Sequence, residues 1–189
     1  MKKKKLSEMT LEELWELFPI FLTEHQNIWA IWAEEEKELL QGLLGGLPVR
    51  ISHIGSTAVP DIWAKPIIDM LIELPESGDM ESVRDRLTEN GYVLMNRSPG
   101  RISLNKGYTE DGFAEKVFHI HVRFAGDHDE LYFRDYLIEH SDAAREYEAL
   151  KLQLWKEFEH DRDGYTAAKT EFVAKYTKLA KERYAGRYE

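Results

Sequence analysis

The sequence contains no cysteine, which excludes disulfide bonds, thiolate zinc sites and cysteine nucleophiles. A metal ion would therefore need histidine, aspartate or glutamate ligands. Long apolar runs are also missing, because no stretch approaches the roughly 20 residues of a membrane span. The four lysines Lys2 to Lys5 precede a glutamate-rich segment and not the apolar run of a signal peptide. We expect a cytoplasmic protein with no membrane partner.

Basic residues are in the minority, since 25 Lys and Arg face 35 Asp and Glu and give a formal net charge of −10. Binding to a nucleic-acid backbone depends on basic residues that displace counterions, so we expect no long nucleic acid as a partner. A local basic pocket for one nucleotide is compatible with this charge. The 189 residues, 43% of them hydrophobic, suffice for one core, and we expect a single domain over residues 1–189.

Helical patterns lie at the two ends of the chain. Thr10 and Glu13 have the spacing of a capping box and predict a short helix in an N-terminal extension, residues 1–18. A second helix is expected from about Thr23, with an inward stripe of Ile28, Trp32, Leu39 and Leu43. Residues 128–184 are expected to form a tail of three helices, which cover the sheet or, as the alternative, form an appendage.

The middle of the chain has the period of strands, which predicts an α+β fold. The expected strands cover about 49–54, 67–73, 92–96, 101–106 and 117–124. A helix from about Met80 to Asn90 separates the second strand from the third.

A turn of small residues, Gly55, Ser56 and Thr57, follows the first expected strand. Glycine permits backbone conformations closed to other residues, and two hydroxyls lie beside the exposed amides of a strand-to-helix bend. This arrangement suits phosphate oxygens. The alternative is an ordinary Ser/Thr turn. A nucleophilic Ser56 paired with His53 is disfavoured, because no Gly-x-Ser-x-Gly elbow surrounds the serine.

The second expected strand carries Asp69 among aliphatic residues. A carboxylate without a partner is costly to desolvate in a half-buried strand, so a metal ion or a bound cation is the expected partner. Glu73 points to the same face of the strand. At about 13 Å along the strand, the two carboxylates are too far apart to chelate one ion closely. We expect Glu73 to end the strand in solvent.

A His-x-His pair, His119 and His121, lies in the last expected strand. The period of two places both imidazoles and Arg123 on one face. Neighbouring histidines on one face indicate a divalent-metal or phosphate site, and the alternative is a solvated polar face. We therefore hypothesise that this strand shares a sheet with the strand of Asp69, and that the three side chains face one cleft.

Several basic residues lie near these strands. Lys65 precedes the strand of Asp69, and Arg101 and Lys106 bracket another. Each could reach a phosphate at the sheet edge, whereas the alternative for each is a solvated charge. Arg123 and Arg134 are further basic residues in this part of the chain.

Three segments resemble, in order, the signatures of the GrpB family: His53-Ile-Gly-Ser-Thr-Ala-Val-Pro60, Lys65-Pro-Ile-Ile-Asp69 and His119-Ile-His-Val122. The helical tail of that family is similar to Phe133-Arg-Asp-Tyr-Leu137, Ala144-Arg-Glu-Tyr147 and Tyr165-Thr-Ala-Ala-Lys169. The resemblance covers roughly Phe18 to Tyr176. It implies a further similarity, to the polymerase-β-type nucleotidyltransferase superfamily.

That superfamily combines a mixed sheet flanked by helices with a Gly-Ser turn for nucleotide phosphates and strand carboxylates for two magnesium ions. Its second carboxylate falls at Leu71 here. The resemblance implies catalytic roles for Ser56 and Asp69. It implies phosphate contacts by Gly55 and Ser56. The leading hypothesis, which joins the resemblance to the residue patterns above, adds phosphate contacts by Thr57, Lys65, Arg101 and Lys106 and a metal held by Asp69, His119 and His121.

The expected ligand is a nucleotide or another phosphate-bearing small molecule, and the expected cofactor is Mg²⁺ or Mn²⁺, with Zn²⁺ as an alternative. The leading activity is transfer of a nucleotidyl group to a hydroxyl acceptor. Two alternatives stay open, a non-catalytic nucleotide- or metabolite-binding module and a metal-dependent phosphohydrolase that uses the histidine pair.

Overall fold

The computed structural model of this protein describes residues 4–188. Residues 1–3 and 189 of the expected domain lie outside this range, so the single-domain organisation stays a prediction. The described residues contain seven α-helices and five strands, together with two short 3-10 helices. The helices are α1 (Leu11–Leu17), α2 (Ile28–Leu43), α3 (Met80–Glu89), α4 (Asp129–Glu139), α5 (Ser141–Glu157), α6 (Arg162–Ala168) and α7 (Thr170–Arg183).

The strands form one mixed sheet in the order β1-β2-β5-β4-β3. Their bounds are β1 (Arg50–Ile54), β2 (Ile68–Leu74), β3 (Val93–Ser98), β4 (Arg101–Thr109) and β5 (Gly112–Phe124). Strand β2 runs parallel to β5, and the other neighbours are antiparallel. All five predicted strands are present. Strand β5 begins earlier than predicted because a tight turn joins Thr109 to Gly112 and extends the hairpin with β4.

One face of the sheet carries the main core. Helices α2 and α3 cover it, and the buried side chains include Trp29, Leu40, Met70, Val83, Leu104 and Ile120. The predicted inward stripe of α2 is confirmed only in part, since Trp32 and Leu43 pack against the core while Ile28 and Leu39 are exposed. The fully buried stripe is displaced by one residue and consists of Trp29, Ala33, Glu36 and Leu40. Hydrophobicity predicts an exposed side chain at Glu36, but its carboxylate pairs with Lys106 and is buried. This burial explains the displacement of the stripe. The helix also begins later than predicted, as Thr23 forms a β-bridge with Ala64.

The opposite face of the sheet looks toward the C-terminal helices. Leu131 of α4 packs directly against Ile54 and Leu71. Helices α5 and α7 pack around Val59 and Ile62, in the segment that joins β1 to β2. The predicted third helix of the tail is in fact two helices, α6 and α7, which meet at Lys169. A cleft of about 1180 Å³ lies between the sheet and these helices.

None of the helices described between residues 4 and 188 is both long and apolar enough to cross a membrane.

Candidate phosphate and metal site

Asp69, His119 and His121 meet on the cleft face of the sheet, and we call them the Asp-His cluster. The parallel register of β2 and β5 pairs Asp69 with His119. The carboxylate oxygen Oδ1 lies 3.3 Å from His119 Nδ1 and 3.2 Å from His121 Nε2. One candidate ligand atom from each residue lies within 4.8 Å of the others. The predicted adjacency of the two strands, and of these three side chains, is therefore what the structure contains.

The turn after β1 packs on the Asp69 carboxylate. Gly55 has φ +74° and ψ −174°, a region open essentially to glycine alone. A Cβ atom at this position would lie 2.5 Å from Asp69 Oδ2. A short 3-10 helix, Ser56–Ala58, then carries the chain away. The backbone of the turn thus lies in direct contact with the Asp-His cluster, with no side chain between them.

A bulge in β4 supplies a second contact to the cluster. The register of β4 and β5 shifts between Lys106 and Tyr108, at Gly107, which has φ +90°. A bulge re-aims the residues beyond it, and Tyr108 accordingly reaches the cleft face while Lys106 lies on the core face. The Tyr108 hydroxyl lies 2.8 Å from His119 Nε2. Arg162 donates to the same hydroxyl at 3.2 Å.

Charge in the cluster is settled by these contacts. Burial would raise the pKa of Asp69, but its hydrogen bonds to His119 and His121 hold that pKa well below its usual range. Burial lowers the pKa of His119, and the Asp69 carboxylate opposes that shift only in part. The Asp69 carboxyl is therefore ionised in the folded protein near neutral pH.

The remaining residues of the turn have structural contacts. Thr57 is buried, donates to the Ile67 carbonyl at 3.3 Å and accepts from His53 Nε2 at 2.9 Å. Its hydroxyl is thereby committed to the fold. Burial lowers the pKa of His53 to about 4. Burial raises the pKa of Tyr147 to about 12, while a hydrogen bond with Ser56 acts in the opposite direction, so Ser56 faces the helical side of the cleft.

Basic side chains line the cleft opposite the cluster. Lys65 lies 5.2 Å from the centre of the Tyr165 ring, and Lys169 lies 4.3 Å from the same centre. Lys151 lies over Tyr147 and donates to the Trp63 carbonyl. Arg162 completes the set. Burial beside other cations lowers the pKa of Lys65 to about 7.

Other predicted site residues lie elsewhere or are already paired. Lys106 was predicted wrongly to reach a phosphate, because it lies on the core face and pairs with Glu36 at 2.9 Å. Arg101 lines the outer cleft, but its guanidinium already donates two hydrogen bonds of 2.7 Å to the Asp127 carboxylate. Glu73 does not end the strand in solvent, since it is buried and bonded to Arg50 at 2.6 Å and 2.7 Å, as well as to His128.

Sequence reasoning missed Tyr108, Lys151, Arg162 and Lys169. A signal existed for some of them. Gly107 inside a strand pattern indicates a bulge, and Lys151 interrupts the apolar stripe between Tyr147 and Leu154. Arg162 is the first residue of α6, which the Asp161 side chain caps by accepting from Gly164 N. Lys169 lies at the break between α6 and α7, for which we find no sequence signal.

The donor set decides which metal would fit the cluster. Two imidazole nitrogens and one carboxylate oxygen suit a transition metal such as Mn²⁺ or Zn²⁺ better than Mg²⁺, which takes oxygen ligands. The Tyr108 hydroxyl on Nε2 leaves Nδ1 of His119 directed toward Asp69, and such outer contacts orient metal-bound histidines. The position of the second carboxylate of the nucleotidyltransferase pattern is taken by Leu71, which is buried against Ile54 and Leu131.

The sheet, its flanking helices and the glycine turn form a nucleotidyltransferase-like fold. The Cid1 poly(U) polymerase with bound MgGTP has a TM-score of 0.51 to this chain at 9% identity, over 78% of this chain and 47% of the polymerase. At that identity the likeness shows the fold alone. A model described as "GrpB protein" matches residues 19–179, and the chain belongs to the GrpB family.

Relatives agree with this assignment. A crystal structure of the conserved protein GrpB from Enterococcus faecalis has a TM-score of 0.75 at 31% identity, over 87% of this chain and 99% of that one. The glutamate-rich protein GrpB of Alkalihalophilus pseudofirmus is 34% identical over 82% of this chain and 91% of its own. The UPF0157 protein YqkA of Bacillus subtilis is 31% identical over 97% of this chain, which spans only 54% of YqkA.

Proposed function

We propose that this protein binds a nucleotide, or another phosphate-bearing small molecule, together with a divalent metal ion at the Asp-His cluster. The observation that supports this most strongly is the convergence of one carboxylate and two imidazoles against the side-chain-free backbone of Gly55. Phosphate oxygens bind at the amides of the turn and at the Ser56 hydroxyl. Lys65 supplies positive charge nearby.

The proposal explains how a strongly acidic protein binds an anionic ligand. The net charge of −10 opposes the approach of a phosphate, and the ionised Asp69 adds a negative charge at the site itself. When bound, the divalent metal neutralises charge on the carboxylate and on the phosphate. Asp69, His119 and His121 hold the ion, while Gly55 and Ser56 orient the phosphate.

In its catalytic form the proposed function is transfer of a nucleotidyl group to a hydroxyl acceptor, with release of pyrophosphate. The support is the nucleotidyltransferase-like fold together with the positions of Ser56 and Asp69 within it. Asp69 acts by holding the metal, and Ser56 acts by fixing the phosphate that is transferred.

A second candidate is a binding module without catalysis, and Leu71 favours it. Two-metal catalysis clamps the attacking and the leaving oxygen, and Leu71, buried against Leu131, provides no ligand for a second ion. A phosphohydrolase based on His119 and His121 is the third candidate. Pyrophosphate release from a nucleoside triphosphate identifies the transferase, release of inorganic phosphate identifies the hydrolase, and binding without turnover identifies the module.

The binding step is tested by thermal denaturation with nucleoside mono-, di- and triphosphates, with and without Mg²⁺, Mn²⁺ or Zn²⁺. A ligand at 100 times its Kd should stabilise the wild type by about 2.7 kcal/mol. Asp69→Asn should abolish the metal-dependent part of that gain. Asp85→Asn, which changes an exposed carboxylate of α3, should retain it. Equal gains in both variants would place the ligand elsewhere.

A further inference from the structure

The helical side of the cleft carries a group of cations that the proposed function does not use. Lys151 of α5, Arg162 and Tyr165 of α6, and Lys169 at the junction of α6 and α7 share this side, and we call these four residues the helical cation cluster. Lys169 lies 4.3 Å from the centre of the Tyr165 ring, and Lys151 lies 4.9 Å from the centre of the Tyr147 ring. All four line the same cleft as the Asp-His cluster. Three separate segments of the helical tail therefore bring positive charge to this cleft.

None of these cations forms an ion pair within the described residues 4–188, although Glu148 acts on Lys151 and Asp69 acts on Lys169 through longer-range attraction. The hydrogen bonds described for their side chains go to uncharged groups, from the Lys151 ammonium to the Trp63 carbonyl and from Arg162 to the Tyr108 hydroxyl. With 35 acidic residues in the chain, this is a marked segregation of charge. Cations brought together without partners repel one another.

Polar atoms of the cluster are also left without partners. Tyr165 is fully buried, yet neither its hydroxyl nor Nε of Arg162 has a hydrogen-bond partner in the part of the chain that the structure describes. A buried polar group without a partner costs free energy. Burial lowers the pKa of Lys151 to about 7 and that of Lys169 to about 8. Each of these costs would fall if an anion occupied the space between the side chains.

We infer that the helical cation cluster is an anion site that binds a phosphate group without a metal ion. It lies on the helical side of the cleft, where Lys151 lies over Tyr147 and the Tyr108 hydroxyl links Arg162 to His119 of the Asp-His cluster. The inference deepens the proposed function and rests on it in one respect: the ligand carries two anionic groups, one for each side of the cleft. Nucleoside di- and triphosphates belong to this class, and nucleosides and monoanions do not.

Calorimetric titration with inorganic pyrophosphate in EDTA tests the inference, because the chelator removes any metal contribution. The wild type should bind pyrophosphate under these conditions. Lys169→Met should weaken binding by about tenfold to a hundredfold, the effect of one charge-assisted hydrogen bond. Tyr165→Phe should weaken it by a smaller factor. Lys175→Met is the matched control, since this lysine of α7 lies over Tyr176 and does not line the cleft, and the affinity of this variant for pyrophosphate should equal that of the wild type.

Two results would overturn the inference. One is no binding of pyrophosphate by the wild type in EDTA, and the other is equal loss in Lys169→Met and Lys175→Met. Lys151→Met provides a second test, because it removes a buried charge without adding a polar group. Failure here is distinct from failure of the proposed function, which concerns metal-dependent stabilisation and its loss in Asp69→Asn.

Discussion

Gly55 lies so close to Asp69 that no side chain fits between the turn and the carboxylate, since a Cβ atom would be 2.5 Å from Oδ2. The turn that is proposed to hold phosphate and the acid that is proposed to hold the metal thus form one unit. A change in either residue should affect the other.

Gly55→Ala should destabilise the protein by about 1–3 kcal/mol, the cost of a non-glycine residue in this backbone region, and should weaken metal binding because Asp69 is displaced. Urea denaturation and calorimetric titration with Mn²⁺ measure the two effects. Gly42→Ala is the control. Gly42 lies in α2 with no atom within 4 Å of an added Cβ, so this change should be neutral or stabilise by up to about 1 kcal/mol. Equal stability of the two variants would contradict the account of the turn.

Tyr108→Phe should reduce metal affinity by about tenfold to a hundredfold, because an outer hydrogen bond orients the His119 ring. The hydroxyl lies 2.8 Å from His119 Nε2. Calorimetric titration with Zn²⁺ gives the affinity. Tyr184→Phe removes a hydroxyl that bonds Glu139 instead, so its affinity for Zn²⁺ should not change. An unchanged affinity for Zn²⁺ in Tyr108→Phe would show that the residue positioned by the bulge does not contribute to metal binding.

Part of this site was accessible from the sequence. Strand alternation placed Asp69, His119 and His121 on matching faces, but pairing of β2 with β5 joins residues about 50 positions apart, and no local pattern determines it. The same alternation places Arg101 and Lys106 on opposite faces, because they are an odd number of positions apart in the strand. In α2, two stripes of residues one position apart have the same helical period. The buried stripe contains Glu36, so hydrophobicity alone favoured the neighbouring stripe.

The helical cation cluster could not be predicted from sequence patterns for a different reason. Lysines on helices are usually solvated, and only the packing of the helical tail on the sheet brings these charges to one cleft. Lys151 was the exception, because it lies in an apolar stripe. A long cationic residue in such a position indicates a polar cavity beneath the helix.

Leu131→Ala should cost about 2–5 kcal/mol, the usual range for a buried leucine. Leu131 is 1% exposed and packs on Ile54 and Leu71, so it fixes α4 on the cleft face of the sheet. Ile138→Ala in the same helix is the control, since this side chain is 47% exposed and should cost about 0.5 kcal/mol or less. Urea denaturation separates the two. Similar losses would mean that α4 is not anchored through Leu131.

Stability should depend on pH through Lys151. Its pKa is lowered to about 7 by burial and by Lys169 and Lys65, while Glu148 acts in the opposite direction. Between pH 7 and about 10 the unfolded chain therefore binds more protons at this residue than the folded protein, so this lysine makes stability rise with pH. Lys151→Met removes that contribution. The free energy of unfolding of the variant, relative to that of the wild type, should be highest near pH 6.5 and lowest near pH 9.5.

Urea denaturation at both pH values measures this difference, with Lys175→Met as the control for loss of a lysine outside the cleft. The control should differ from wild type by the same amount at the two pH values. A gain for Lys151→Met that does not shrink as pH rises would contradict the lowered pKa.

The central claim, that metal and phosphate meet at Asp69, is tested most directly by a crystal structure of the wild type soaked with Mn²⁺ and a non-hydrolysable nucleoside triphosphate. Data collected at the manganese absorption edge locate the ion by its anomalous signal. Our account predicts an anomalous peak held by Asp69, His119 and His121, with a phosphate group against the Gly55–Ser56 turn and the rest of the polyphosphate directed toward Lys169. A nucleotide bound outside this cleft, or a cleft with nucleotide but no anomalous peak at Asp69, would contradict it.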